Sequence, residues 1–159
     1  STESLATVRR VPNEPGMAAK VFTLLAEAGV NVDMIVQASA STGTADISFT
    51  VPGSAAAKVQ EVLQEKQDEL GYQSFDIDAN VGKVAVVGVG MKTHSGLAAK
   101  FFNALSDKGV NVLMISTSEI RIAALVPLEQ LQDAVRALHT AYGLDADQVE
   151  AVVYGGTGR

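Results

Sequence analysis

Two stretches of the chain carry apolar residues at helical spacing. Ala18, Val21, Phe22 and Leu25 fall at i, i+3, i+4 and i+7, and so do Ala98, Phe101, Phe102 and Leu105. That is the pattern of an amphipathic helix with one buried stripe. Each pattern stops at a glycine, Gly29 or Gly109, the residue type expected just past a helix C-terminus. Short β-branched runs surround these helices. Leu5–Arg10 and Lys83–Val89 predict strands ahead of them, the second apolar on both faces as in a central strand. Val-Asn-Val opens a predicted second strand in both places, running through Gln37 and Ser116. After a turn, Ser41–Thr44 or Thr117–Glu119, third strands are predicted at Asp46–Val51 and Ile120–Val126. Pro52-Gly53-Ser54 and Pro127 mark the start of a second helix, which runs to about Leu70 or Tyr142 and ends at Gly71 or Gly143. Last strands are predicted at Tyr72–Ile77 and Val149–Tyr154.

The two halves are copies of one unit. Residues 16–35 and 96–115 are identical at 12 of 20 positions, at an offset of 80. Ile47–Val51 then matches Ile122–Val126 at an offset of 75, which places about five extra residues of the first copy around Ala38–Thr44. A period this long is not a solenoid repeat; it predicts two small domains, residues 1–80 and 81–159. The order β-α-β-β-α-β in each makes the class α+β. Each domain is expected to be ferredoxin-like, an antiparallel sheet with two helices on one face. A unit of about 75 residues has a thin core. Its sheet edges are therefore expected to pair between copies or between chains.

Composition narrows the chemistry. The chain has 159 residues, is 47% hydrophobic and 19% charged, and contains only 4 prolines, which predicts ordered elements and short loops. A net charge of −6 without a Lys/Arg cluster disfavours nucleic acid and anionic membranes as partners. The absence of cysteine excludes disulfides, thiolate metal sites and a Cys nucleophile. His94 and His139 are too far apart in sequence for a metal-ligand motif. No metal or cofactor is expected. No apolar run reaches a membrane-spanning length, and no signal peptide is visible, so the expected location is the cytoplasm. Gly88-Val89-Gly90 lacks the third glycine of a dinucleotide loop, and neither a P-loop nor a GxSxG elbow occurs. His94 reads as a loop or ligand-contact residue and His139 as a surface or satisfied half-buried residue. Glu61, Glu65, Asp68 and Glu69 read as a solvated helix face, and Met17, Met34, Met91 and Met114 as core.

Both copies share a loop that feeds a helix through a glycine, Gly16 or Gly96. A helix start without a side chain exposes backbone N–H groups to an incoming carboxylate. Both also share an asparagine, Asn31 or Asn111, just past the first helix; its amide can donate and accept. Two readings stay open. The glycines and asparagines form a site for a free amino acid, or the glycines serve packing and the asparagines serve turns.

The segments Glu14–Phe22, Val30–Gln37 and Asp46–Thr50 resemble the first ACT domain of bacterial aspartokinases. Val84–Gly96 and Val110–Ile122 resemble the second, with Ile115–Ile122 the most specific run and Ala134–Leu144 similar to the closing helix. The resemblance covers nearly the whole chain and is nearest to the small β-subunit type. It implies an allosteric regulatory region, acting on an enzyme that phosphorylates aspartate with ATP on the way to lysine, threonine and methionine. The catalytic half of that family, with its Lys-Phe-Gly-Gly signature, does not match here, so the resemblance implies the regulatory part alone. Its partners would be threonine, lysine, a catalytic (alpha) subunit and a second copy of the chain in a homodimer. The alternative is a stand-alone amino-acid sensor of the same fold. Carried over by position, a first effector site would use Asn13, Pro15, Gly16, Met17, Ala18, Asn31, Val32 and Gln37. A second would use Met91, Lys92, Thr93, His94, Ser95, Gly96, Leu97, Asn111 and Ile115, with Ser116–Glu119 beside them. In the family, contacts to one ligand come from two ACT units. The family usually has Asp where Asn13 stands, Asn where Ala38 stands and often Pro where Ser95 stands.

Overall fold

The computed structural model describes residues 3–88, 96–118, 121–143 and 151–155, the last segment as backbone alone. Two compact units emerge, residues 2–79 and 80–159. The first contains β1 (Glu3–Pro12), α1 (Met17–Glu27), β2 (Ile35–Ser39), β3 (Thr44–Pro52), α2 (Ala56–Glu65) and the single turn α3 (Gln67–Leu70). The long strand β4 (Ser74–Gly88) serves both units. The second unit continues with α4 (Gly96–Asp107), β5 (Met114–Thr117), β6 (Arg121–Pro127), α5 (Leu131–Gly143) and β7 (Ala151–Gly155).

Strand order is β2-β3-β1-β4 in the first unit, and β5-β6-β4 with β7 on the other side of β4 in the second. The β1–β3, β2–β3, β4–β6, β4–β7 and β5–β6 pairs are antiparallel. This is the ferredoxin-like arrangement twice. The repeat extends to the register: Val8 opposes Ile47 as Val86 opposes Ile122. Each unit fills the space between sheet and helices with its own apolar cluster. Leu25, Ile47, Phe49 and Leu63 are fully buried in the first, and Val84, Phe101, Leu105 and Leu138 in the second. Each such side chain contributes about 1.5–3 kcal/mol through burial. Phe22 meets Phe49 edge to face at 5.5 Å. Tyr142 donates its hydroxyl to the Leu97 carbonyl at 2.6 Å, and burial pushes its phenol up to about 12.

The structure departs from the sequence expectations at five places. The strands expected at Tyr72–Ile77 and Lys83–Val89 form one continuous strand, β4. Val-Asn-Val does not open a strand in either unit. Gly29 (φ +79) donates to the Ala26 carbonyl and Val30 to that of Leu25; Gly109 (φ +67) and Val110 repeat this with Ser106 and Leu105. Both are Schellman caps, in which the valine seals the helix end with an apolar contact. β2 and β5 therefore begin only at Ile35 and Met114. The second helix of the first unit is not continuous either; it breaks at Lys66 (φ −105). β1 is longer than expected and carries a register shift between Val8 and Val11. Gly96 lies inside α4 as its first residue, whereas Gly16 precedes α1.

Met34 and Met114 are buried and Met17 is half-buried, while His139 and the acidic residues Glu61, Glu65, Asp68 and Glu69 are exposed. Met91, part of the Val149–Tyr154 strand and the Thr117–Glu119 turn end lie outside the described residues. No described helix is long and apolar enough to cross a membrane. Among the described residues, no group of three or more His, Asp or Glu side chains is placed to hold a metal ion.

Candidate functional site

The first unit holds a pocket of about 230 Å³ at the start of α1, where β1, β2 and β3 converge. That is below the roughly 300–1,000 Å³ of pockets for drug-sized ligands, and suits a ligand no larger than a free amino acid. Three features of the sequence build it. Gly16 takes a left-handed conformation (φ +89) ahead of Met17, which turns the chain into the helix. No side chain caps α1; the Met17 N–H donates to the Glu14 carbonyl at 3.2 Å, and the amides of Ala18 and Ala19, which line the pocket, are left for a ligand. Asn13 then ties the loop to the sheet. Its backbone N–H donates to the Gly43 carbonyl at 3.0 Å, its amide donates to Ser39 Oγ at 3.3 Å, and its Oδ1 accepts from Gln37 Nε2 at 3.4 Å.

Of the residues expected from sequence, Asn13, Gly16, Met17, Ala18 and Gln37 line this pocket together. Pro15 belongs to the same loop but is not among its walls. Asn31 and Val32 are not brought in: Asn31 is exposed beyond the helix cap, and Val32 packs against the core. Sequence reasoning missed Val11, Pro12, Glu14, Ala19, Ala45 and Ile47 as walls. Glu14 is the one charged group among the residues that line it. Ala45 and Ile47 arrive from β3, where residues two apart share the helix-facing side.

In the second unit Met91, Lys92, Thr93, His94 and Ser95 lie outside the described residues, as does Glu119. Gly96 opens α4 with nothing within 4 Å of where a Cβ would stand. Leu97 turns its side chain into the core, at 9% exposure, and lends its carbonyl to Tyr142. Asn111 is exposed and held by its backbone: its N–H donates to Gln130 Oε1 at 2.9 Å, and Gln130 Nε2 donates to the Gly109 carbonyl at 3.0 Å. Ile115 is 46% exposed on β5.

The comparisons with known proteins agree with this architecture. The family model described as "ACT domain" matches residues 9–67 and 84–142, once per unit. Aspartokinase of Corynebacterium efficiens is 46% identical over 99% of this chain, which covers 38% of that protein. Aspartokinase of Mycobacterium tuberculosis is 43% identical with the same coverage. The chain thus spans well under half the length of these curated relatives. Among solved structures, one of aspartokinase alpha and beta subunits superposes with a TM-score of 0.84 at 42% identity, covering 89% of this chain and 93% of that one. The regulatory subunit of aspartate kinase from Thermus thermophilus gives 0.83 at 36% identity, with the same coverage. Tandem matches, a shared register in both units and near-complete coverage of an aspartate kinase regulatory subunit lead to one assignment: this chain belongs to the ACT-domain family, as the tandem-ACT regulatory region of a bacterial aspartokinase.

Proposed function

We propose that the chain is an allosteric sensor that binds threonine, lysine or both, and through them inhibits aspartate phosphorylation by an aspartokinase catalytic partner in the cytoplasm. The observation that carries this reading is the pocket at the α1 start. It offers uncapped backbone amides for a carboxylate, Asn13 and Gln37 as polar contacts, and the Glu14 carboxylate for an ammonium. A ligand presenting carboxylate and ammonium close together on a small body is a free α-amino acid. Binding that favours one arrangement of the assembly over another would shift the catalytic equilibrium by the difference in affinity between the two.

A homodimer fits the same reading. β2 and β5 end the strand order of their units. They and the approach to β5 expose Ile35, Val36, Leu113 and Ile115 at 53, 40, 44 and 46%. Apolar edge strands left open are templates for pairing.

The test is co-purification with an aspartokinase catalytic subunit, followed by aspartate-dependent ADP release while threonine and lysine are titrated, singly and together. The reading expects a stable complex whose turnover falls with at least one of the two. No complex, with amino-acid binding retained, would instead favour a stand-alone sensor.

A further inference from the structure

We infer that Asp46 is a positioning residue for the pocket of the first unit: its carboxylate holds a bulge in β1 that turns Val11, Pro12 and Asn13 into the pocket wall. The inference rests on the effector-site reading above and names a residue outside that site on which it depends. Pairing of β1 with β3 runs without interruption from Glu3↔Pro52 to Val8↔Ile47 and resumes at Val11↔Ala45. Arg9 and Arg10 therefore face the single residue Asp46, the two-against-one count of a β-bulge. Arg10 sits at φ +57, the only non-glycine residue with positive φ among those described, a conformation disfavoured for any side chain with a Cβ. Arg10 has no partner in the β1–β3 register, and its N–H donates to Asp46 Oδ1 at 2.9 Å. Beyond the bulge the chain is fastened again by Pro12↔Thr44 and by Asn13 N–H to the Gly43 carbonyl. Because side chains alternate faces along a strand, losing the extra residue would turn Val11, Pro12 and Asn13 to the wrong side.

The second unit differs at the residue equivalent to Asp46. Over the described residues β4 pairs with β6 from Val81↔Pro127 to Val87↔Arg121 with no shift. The residue before Ile122, equivalent to Asp46 before Ile47, is Arg121. A guanidinium cannot accept a backbone N–H, and Arg121 Nε is buried without a hydrogen-bond partner.

The experiment is calorimetric titration of threonine and of lysine into the chain and into Asp46→Ala, Asp46→Asn, Arg10→Gly and the Asp46→Ala/Arg10→Gly double variant, with thermal unfolding of each. For whichever amino acid the unaltered chain binds, Asp46→Ala is expected to weaken binding by about fivefold or more. Asp46→Asn keeps a carbonyl acceptor and should stay near the unaltered affinity. The double variant should recover it, because glycine takes the left-handed conformation unaided. If Asp46 acted on the ligand by charge, Asp46→Asn would bind as weakly as Asp46→Ala and Arg10→Gly would rescue nothing; that result overturns the inference, as does unchanged affinity in Asp46→Ala. Should Asp46→Ala fail to fold, the Asp46→Asn variant and the double variant still decide. An unaltered chain that binds neither amino acid overturns the effector reading itself, and this inference falls with it.

Discussion

Asn13 is the residue on which the chemistry of the first pocket turns. It does not cap α1, whose first turn has no side-chain cap; instead its amide spans Ser39 and Gln37. An aspartate in its place keeps both contacts, since Gln37 Nε2 and the Ser39 hydroxyl can each donate to a carboxylate. It also adds a negative charge beside Glu14. A hydrogen bond to a charged group is worth roughly 1.5–3 kcal/mol against about 1 for a neutral one. Asn13→Asp should therefore tighten amino-acid binding by about 1 kcal/mol, roughly fivefold. Equal dissociation constants in calorimetry would remove Asn13 from the ligand's contacts. A second residue-scale expectation concerns Gly82. A Cβ there would stand 2.8 Å from Leu131 Cδ2, so Gly82→Ala should cost about 1–3 kcal/mol by overpacking. In a Leu131→Ala background the same change should cost clearly less, a coupling that chemical denaturation of the four proteins measures. In the first unit the equivalent positions hold other residues: Ser4 opposes Val51 as Gly82 opposes Val126, and Ala56 follows Pro52 by four residues as Leu131 follows Pro127. A smaller helix residue accompanies the larger strand residue.

Among the elements, the two helices that begin at the shared glycines differ in a way that separates folding from binding. Gly16 needs its left-handed φ, so Gly16→Ala is strained even though space is free. Gly96 is helical, without positive φ, and equally unobstructed. Gly96→Ala should leave stability unchanged or raise it by about 0.4–1 kcal/mol, so any loss of effector affinity it causes reports ligand approach and not misfolding. A lower melting temperature for Gly96→Ala would contradict this account of α4. The elements also show what could be read from sequence. Gly29 and Gly109 were legible as helix ends because a left-handed cap favours glycine over all other residues. Val-Asn-Val was not legible, because valine at a Schellman cap and valine in a strand look alike when taken one residue at a time. The bulge did leave a trace: buried Ala6, Val8 and Val11 are spaced two and then three apart. Asn13, Gly16, Met17, Ala18 and Gln37 could be found through one loop and a family pattern. Ala45 and Ile47 could not, because only the β1–β3 register brings them to Val11. The break at Lys66 carries no proline or glycine to announce it.

At the scale of the molecule, two ACT units with open apolar edge strands are expected to self-associate. Sedimentation at micromolar concentration should give a dimer, and a monomer with and without threonine would count against the pairing of edges. The central claim is that this region senses end-product amino acids. Isothermal titration of threonine and of lysine, each alone and each in the presence of the other, into the purified chain tests it most directly. The account predicts saturable heat with at least one of them. It also predicts a rise in melting temperature, since a ligand at about 100 times its dissociation constant stabilises the folded state by roughly 2.7 kcal/mol. No heat and no thermal shift with either amino acid, singly or together, would contradict it.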